Sequence, residues 1–192
     1  ETERLELLVG RVLELSRLQS SYTYARDPLD VAAIVEEAVA AFDAITLTKP
    51  TPITRHIAPD LSVAGDRPTL VRALVNLLTN AWKYTGDDKQ IEITAAENRR
   101  WVEITVRDNG TGIDLAEQRA IFEQFQRGRA AAANGAPGLG LGLSFVQAIV
   151  RGHRGKLAFE SRPGETVFRI RLRRWREPVV IARPMSEQRL AS

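Results

Sequence analysis

Hydrophobic positions along the chain follow two rhythms, and the order of those rhythms predicts its elements. Leu5, Leu8, Val12 and Leu15 recur at three- and four-residue intervals with Glu3, Arg4, Glu14 and Arg17 off the stripe, so the chain opens inside an amphipathic helix. The helix reads as cut, and its seam is like one side of a bundle. Ser20 and Ser21 end the periodicity and Pro28 biases Asp27 away from helical backbone, which makes residues 22–28 a linker. Asp30 can cap a second helix through Val31, Ile34, Val35, Ala38 and Phe42. Short β segments are expected at residues 53–57 and 61–64, and Asp66 with Pro68 opens a third helix that reaches Tyr84.

The later half is mainly a two-residue rhythm. Residues 91–95 and 101–107 alternate apolar and polar side chains about a polar stretch, which signals a hairpin. A short helix is expected over 115–125, followed by a loop of small residues, 128–137, that reads as a candidate lid. Residues 142–151 read as an apolar helix, and 156–161 and 166–172 as strands joined by a turn at Pro163-Gly164. Beyond Trp175, prolines and mixed charges predict a loose tail. No internal repeat is evident.

Composition narrows the chemistry. A length of 192 residues, 44% hydrophobic and 27% charged, suits one good-sized core with appendages. The absence of cysteine removes disulfides, thiolate metal sites and cysteine nucleophiles, and two histidines make zinc a poor candidate. No apolar run approaches the roughly 20 residues of a membrane-spanning helix, and no signal-peptide pattern is present. The net charge of +3 does not establish a nucleic-acid partner. Arg169, Arg171 and Arg173 alternate with Ile170 and Leu172, so a strand with one solvated basic face is the simpler reading; a docking surface for an acidic partner is the sharper one.

Three groups carry candidate chemistry. Asn76, Asn80 and Lys83 share one helix face at i, i+4 and i+7, and Leu74, Val75, Leu77, Leu78 and Ala81 make most of that helix core-facing. The polar stripe is then either solvated or the lining of a cleft. Asp108 ends an apolar strand just before Gly110 and Gly112: a carboxylate there can accept from an exocyclic amino group, and glycines let a flat ring approach the backbone. A plain Asp-Asn-Gly hairpin turn is the alternative, although Ile113, Asp114 and Leu115 continue as a helix start instead of a returning strand. Gly138, Leu139, Gly140, Leu141 and Gly142 precede the helix beginning near Leu143, where freed amides can surround an anion. A flexible hinge is the other reading. No Gly-Lys-Ser/Thr follows, and Leu143 stands where a dinucleotide fingerprint needs its third glycine.

Together these segments resemble the four boxes of sensor histidine kinases. Asn76-Leu77-Leu78-Thr79-Asn80-Ala81-Trp82-Lys83-Tyr84 resembles the N box, residues 108–113 the G1 box, Ile121-Phe122-Glu123-Gln124-Phe125-Gln126-Arg127 the F box, and residues 138–143 the G2 box. The match spans about residues 28–172, and Leu15-Ser16-Arg17-Leu18 resembles the end of the preceding dimerisation and phosphoacceptor hairpin. The resemblance implies an α+β two-layer sandwich of the Bergerat type, a mixed, mostly antiparallel sheet packed on helices, preceded by a partial bundle helix. Its implied division is 1–21 for the hairpin helix, 22–29 for the linker, 30–174 for the catalytic ATP-binding domain and 175–192 for the tail.

The same resemblance implies ATP and Mg²⁺ as cofactors. Asn80 would hold the metal, with Asn76, Lys83 and Arg127 acting on the phosphates and Tyr84 packing near the adenosine. Asp108 would receive the adenine amino group beside Gly110, Gly112 and Ile113. The backbone of Gly138, Leu139, Gly140, Leu141, Gly142 and Leu143 would wrap the phosphates. Thr166 matches the threonine of a late Gly-x-Gly-Thr pattern that is half kept, with Pro163 where its first glycine is expected on one alignment, and Pro137 stands at a lid position often filled by glycine.

Neither histidine fits a phosphoacceptor: His56 lies in an expected strand, and His153 ends a helix before Arg154-Gly155. The acceptor is expected on a helix upstream, used in cis or in trans within a homodimer, with a response-regulator receiver domain as the next partner. A cytoplasmic location is implied, including the cytoplasmic part of a membrane-bound sensor, with membrane contact only through parts absent from this chain. The competing readings are a non-kinase ATPase of the same GHKL superfamily, which places a glutamate base where Asn76 stands, and a degenerate regulatory module.

Overall fold

A computed structural model of the chain describes residues 2–47, 49–126 and 140–176, with the side chains of 2–5, 7 and 8 outside the description. The expected lid 128–137, Arg127, Pro137, Gly138, Leu139 and residues 177–192 of the expected tail lie outside the described residues, as do the side chains of Leu5 and Leu8.

The elements are α1 (Thr2–Ser20), β1 (Asp27–Asp30), α2 (Val31–Ile45), β2 (Ile53–Ile57), β3 (Ser62–Gly65), α3 (Arg67–Tyr84), β4 (Ile91–Asn98), β5 (Trp101–Asp108), α4 (Gly142–Gly152), β6 (Lys156–Arg162) and β7 (Glu165–Arg173). A five-stranded sheet runs β2-β4-β5-β7-β6, with β2 parallel to β4 and every other pair antiparallel. Helices α2, α3 and α4 pack against it. Alternation decides which sheet face they cover: Val102, Ile104 and Val106 of β5 and Phe168, Ile170 and Leu172 of β7 are buried with Phe42, Leu74, Leu78, Phe145 and Ile149. The expected α+β sandwich is thus present.

The opposite face explains the late arginines. Arg169 pairs with Glu160 and Arg171 with Glu103, and the Arg173 guanidinium lies 4.3 Å from the Trp101 ring centre; Arg174, just past β7, pairs with Glu97. These cations are matched by neighbouring glutamates and an aromatic face, which supports the simpler reading of a solvated strand face.

Two expectations need correction. Residues 27–30, read as linker and cap, form β1, paired antiparallel with β3 from Asp27↔Gly65 to Asp30↔Ser62. Asp30 nonetheless caps α2 as expected, accepting from the amides of Ala32 and Ala33. The segment 115–125 is not a helix but a chain of turns closed three residues apart, Glu117 N–H to Asp114, Ala120 to Glu117 and Glu123 to Ala120. Ile121 and Phe122 anchor it by packing against the core, while the Gln118 amide donates to Ile113 O and Ser161 O. A segment this short gains too little from helical bonds alone to offset nucleation, so tertiary anchors set its path.

α1 joins the same core. Leu15 is fully buried and Leu18 nearly so, and Glu14 forms a two-pronged ion pair with Arg72 of α3, whose guanidinium lies 4.1 Å from the Phe145 ring centre. Val9 and Leu13 remain exposed on another side of the helix. Among the described residues, no helix is long and apolar enough to cross a membrane.

Candidate nucleotide site

The site is built where α3 ends, β5 ends and α4 begins. Asp66 starts α3 by accepting the Thr69 amide, and Leu74, Leu77, Leu78 and Ala81 bury the helix from behind. The 3.6-residue repeat then leaves Asn76, Asn80 and Lys83 along its unburied side. Across from them stands the first residue of α4. A Cβ on Gly142 would lie 3.5 Å from Asn76 Oδ1 and 3.7 Å from Asn80 Oδ1, so both amides face the start of that helix. Asn76 and Asn80 thus line the cleft between α3 and the start of α4.

Among the described residues no side chain caps α4: its N-cap residue is Leu141, whose side chain is buried in the core. The helix therefore presents its first amides and the positive end of its dipole beside the two asparagine oxygens. Leu143 packs partly into the core as well, so at Leu141 and Leu143 only backbone is suited to a ligand. Gly140 has φ +69°, a conformation side chains disfavour, and its carbonyl accepts the Phe125 amide at 3.0 Å, joining the F-box segment to the glycine loop. Ser144 adds a bond from its hydroxyl to Phe122 O.

The other end of the cleft is Asp108, 6% exposed. Its Oδ1 accepts from the Gly110 amide at 2.8 Å and the Thr85 hydroxyl at 3.5 Å, and Oδ2 takes no hydrogen bond from the described residues. Burial pushes its pKa up to about 6 against the opposing effect of those two bonds. A buried carboxylate with one unused oxygen suits a donor arriving from outside the chain. Thr166 is its direct cross-strand neighbour and is equally buried.

Short contacts fix the loop after Asp108. A Cβ at Gly110 would lie 2.6 Å from Asp108 Oδ1 and 2.7 Å from Tyr84 O, and one at Gly112 would lie 2.4 Å from Arg162 O. The Thr111 amide donates to Tyr84 O, Gly164 N–H to Gly110 O and Ile113 N–H to Ser161 Oγ. Asn109 does not reach the cleft; its side chain accepts from Gln90 N–H and donates to Asp88 O. The Pro163-Gly164 turn forms as expected, with Gly164 at φ +83°.

Sequence reasoning missed Thr85, Lys89, Gln118 and Ser161. Lys89 donates to the carbonyls of Trp82, Thr85 and Gly86 and so closes the end of α3 beneath Tyr84. A hydroxyl one residue past the N box and a lysine just beyond the helix end were the available signals. Both histidines sit away from the cleft's chemistry. His56 is exposed on β2 near Glu92. His153 is buried, accepting the Asp66 amide at Nε2 and donating from Nδ1 to Ile149 O, and burial holds its pKa below the usual imidazole value.

A family model described as "Histidine kinase-, DNA gyrase B-, and HSP90-like ATPase" matches residues 65–176. The chain belongs to that family and carries its ATP-binding domain. Sensor histidine kinase TrcS of Mycobacterium tuberculosis is 37% identical over the whole chain, which spans 36% of that relative's length. Among solved structures, histidine kinase ThkA in complex with response regulator protein TrrA superposes with a TM-score of 0.72 at 25% identity, over 91% of this chain and 48% of that one. Full-length ShkA in complex with AMPPNP shares the fold with a TM-score of 0.75 at 23% identity, over 89% of this chain and 36% of that one.

The donor set fits magnesium bound together with a triphosphate. Asn76 and Asn80 supply neutral oxygens, and the described residues contain no group of three or more His, Asp or Glu side chains that could hold a metal alone. Magnesium commonly takes few protein ligands and completes its shell with phosphate and water oxygens.

Proposed function

We propose that this chain is the catalytic part of a two-component sensor histidine kinase, which transfers the γ-phosphoryl of Mg-ATP to a histidine on a helix outside residues 1–192. The facing of Gly142 by Asn76 and Asn80 carries this reading, because it sets two amide oxygens against an uncapped helix start. In this arrangement the amides at the start of α4 take the phosphates, and Asn80 Oδ1, supported by Asn76, holds the Mg²⁺ that neutralises charge during transfer. Lys83 and Arg127 complete the phosphate side. The backbone of Gly138, Leu139, Gly140, Leu141, Gly142 and Leu143 wraps the phosphate chain. Asp108 accepts the adenine amino group, with Gly110, Gly112, Ile113, Tyr84 and Thr166 around the base.

Residues 1–21 then belong to the dimerisation and phosphoacceptor hairpin and 22–26 join it to the catalytic domain, which takes in β1 and runs to residue 174, acting on the cytoplasmic side with a receiver domain as the downstream partner. The burial and hydrogen bonding of His153 and the strand position of His56 support an acceptor elsewhere. Asn76 in place of a carboxylate removes the water-activating base that an ATPase would use.

Titration of the chain with Mg-ATP is expected to show binding that Asn80→Ala weakens at least about tenfold, the worth of one lost metal-ligand contact. No binding by the wild type would sink the proposal. With a separately made acceptor-helix fragment present, phosphohistidine is expected on the fragment and none on this chain alone; steady phosphate release without acceptor would favour the ATPase instead.

A further inference from the structure

Lys89 stands in the link between α3 and β4, and its ammonium is given over to main chain. It donates to Trp82 O at 2.7 Å, Thr85 O at 2.5 Å and Gly86 O at 2.9 Å. An ammonium carries three N–H groups, so every donor is used. Asp87, the nearby carboxylate, pairs with Lys49 at 2.7 Å instead. Trp82 O is among the last carbonyls of α3, which have no intrahelical partner, and a cation suits the negative end of the helix dipole. Among the described residues, no main-chain hydrogen bond closes residues 86–89, so it is the ammonium that gathers the chain from Trp82 to Gly86 around one point.

That link is the bed on which the loop after Asp108 lies. Thr111 N–H donates to Tyr84 O at 3.2 Å and Asn109 N–H to Gln90 O at 3.3 Å. The Asn109 side chain donates to Asp88 O and accepts from Gln90 N–H, both at 2.8 Å. A Cβ at Gly110 would lie 2.7 Å from Tyr84 O, so the loop's backbone rests directly on the helix end. Residues 84–90 therefore set where residues 109–111 stand, and Lys89 sets the shape of residues 84–90. Without the ammonium, three carbonyl oxygens would converge with no cation between them, and their repulsion would open the turn. Resting on the reading of Tyr84, Asp108 and the loop 110–112 as the adenosine end of the site, we infer that Lys89 is a positioning residue for nucleotide binding: its ammonium is a tethered cation that fixes the link after α3 and, through it, the loop against which adenosine packs.

The test measures dissociation constants of the wild type and Lys89→Ala for Mg-ATP and Mg-tripolyphosphate, in choline chloride and in n-propylammonium chloride at equal ionic strength, with thermal melting as a check on folding. Propylammonium supplies the stem and charge that the substitution removes. In choline, Lys89→Ala is expected to weaken Mg-ATP about tenfold and tripolyphosphate less than about twofold. In propylammonium, its Mg-ATP affinity is expected to return to within about threefold of the wild type, which binds equally in the two salts. Unchanged Mg-ATP affinity in folded Lys89→Ala overturns the inference. Equal weakening of both ligands does so too, since that would mark a distant charge acting on the phosphates. A loss that propylammonium does not repair also overturns it, because the stem and not the cation would then matter. A wild type that binds no nucleotide overturns the ATP-site reading beneath it. Should Lys89→Ala fail to fold, Lys89→Gln keeps the reach but offers two donors and no charge, and is expected to weaken Mg-ATP about threefold with tripolyphosphate unchanged; Mg-ATP affinity equal to the wild type would again overturn the inference.

Discussion

The two ends of α3 each hold a buried aspartate, and the chain treats them in opposite ways. Asp66 opens the helix with its carboxylate filled: Thr69 N–H bonds Oδ1, while Tyr22 hydroxyl and Ala25 N–H bond Oδ2. Burial alone would raise its pKa, but hydrogen bonds from Thr69, Ala25 and Tyr22 hold it below the usual carboxylate value. Among the described residues, Asp108, beyond the other end, is bonded on Oδ1 alone, and burial pushes it up to about 6. Both are nearly out of solvent by surface area, yet Asp108 is the more strongly desolvated of the two and the less fully hydrogen-bonded. A buried charge with all its hydrogen bonds made is part of the scaffold, and one left partly unmade is where a ligand completes the structure.

Exchanging each carboxylate for its amide should split the two roles. Asp108→Asn sets an N–H₂ donor or a weaker acceptor where an exocyclic amino group arrives, and is expected to weaken ATP binding roughly 30- to 100-fold while leaving the melting temperature nearly unchanged at pH 7. Asp66→Asn is expected to do the reverse, costing about 1–2 kcal/mol of stability with ATP affinity held within about threefold. Parallel calorimetric titration and thermal melts read both. If Asp66→Asn lost binding as completely as Asp108→Asn, the division into scaffold and site would be wrong.

Acid offers a second way to separate them. Asp108 accepts more strongly from an amino group when ionised, so with its pKa raised to about 6, ATP affinity should fall between pH 7 and pH 5 as the carboxyl takes a proton, and that part of the fall should vanish in Asp108→Asn. Stability of the unliganded chain follows different signs. Asp108, raised on folding, contributes stability below the unfolded value of 3.8 that is lost as pH climbs through about 6. Asp66, lowered on folding, contributes stability above 3.8 that is lost as pH falls through its folded value. His153 is also lowered: below the unfolded 6.5 the unfolded chain takes a proton that the folded one refuses, so its contribution is lost as pH falls from there. Melting of His153→Gln against wild type from pH 7 to pH 5 should show a flatter decline in the variant.

This contrast also marks what could be read in the sequence. The residues proposed to bind nucleotide, Asn76, Asn80, Asp108 and the glycine loop, could be named from the sequence because their chemistry is local: a polar stripe on an apolar helix and glycines at a helix start have meaning before folding. The scaffold end could not. Tyr22, Tyr24 and Arg26 looked like linker residues, yet Tyr24 packs so closely on Gly152 that a Cβ there would lie 2.1 Å from its ring, and Arg26 donates to Gly152 O and His153 O. Those contacts join positions more than 120 residues apart, and no periodicity encodes them. β1 was hidden for the same reason. Pro28 and two flanking aspartates argue against a strand, and only the partner β3 makes it one. Ser161 alternated correctly as a strand residue, but its hydrogen bonds depend on where Ile113 and Thr166 arrive in space.

Two glycines sharpen the comparison on the site side alone. Gly110 is filled on both sides, so Gly110→Ala must push Asp108 or Tyr84 and is expected to cost about 1–3 kcal/mol as well as binding. At Gly142 the nearest atoms stand at ordinary contact distance, 3.5 to 3.8 Å, so a methyl group fits the unliganded protein. It fits into the space that the phosphates and metal would need. Gly142→Ala is expected to leave melting unchanged or slightly raised, alanine being the better helix former, while weakening Mg-ATP roughly three- to tenfold. Equal affinity in wild type and variant would place the phosphates elsewhere.

The smallest effect tests how far the filled end can be eroded before it counts. Tyr22 is itself 41% exposed, and its hydroxyl gives Asp66 one of several bonds at 3.0 Å. Tyr22→Phe keeps the ring that meets Tyr24 edge-on at 4.7 Å and removes only that bond. Thr69 and Ala25 still hold the carboxylate, and water can reach the position the hydroxyl leaves, so the loss should be about 0.5–1 kcal/mol in chemical denaturation, with no change in ATP affinity. A larger loss would mean that Asp66 depends on each of its partners, and that the filled end of α3 is nearly as short of hydrogen bonds as the end that waits for nucleotide.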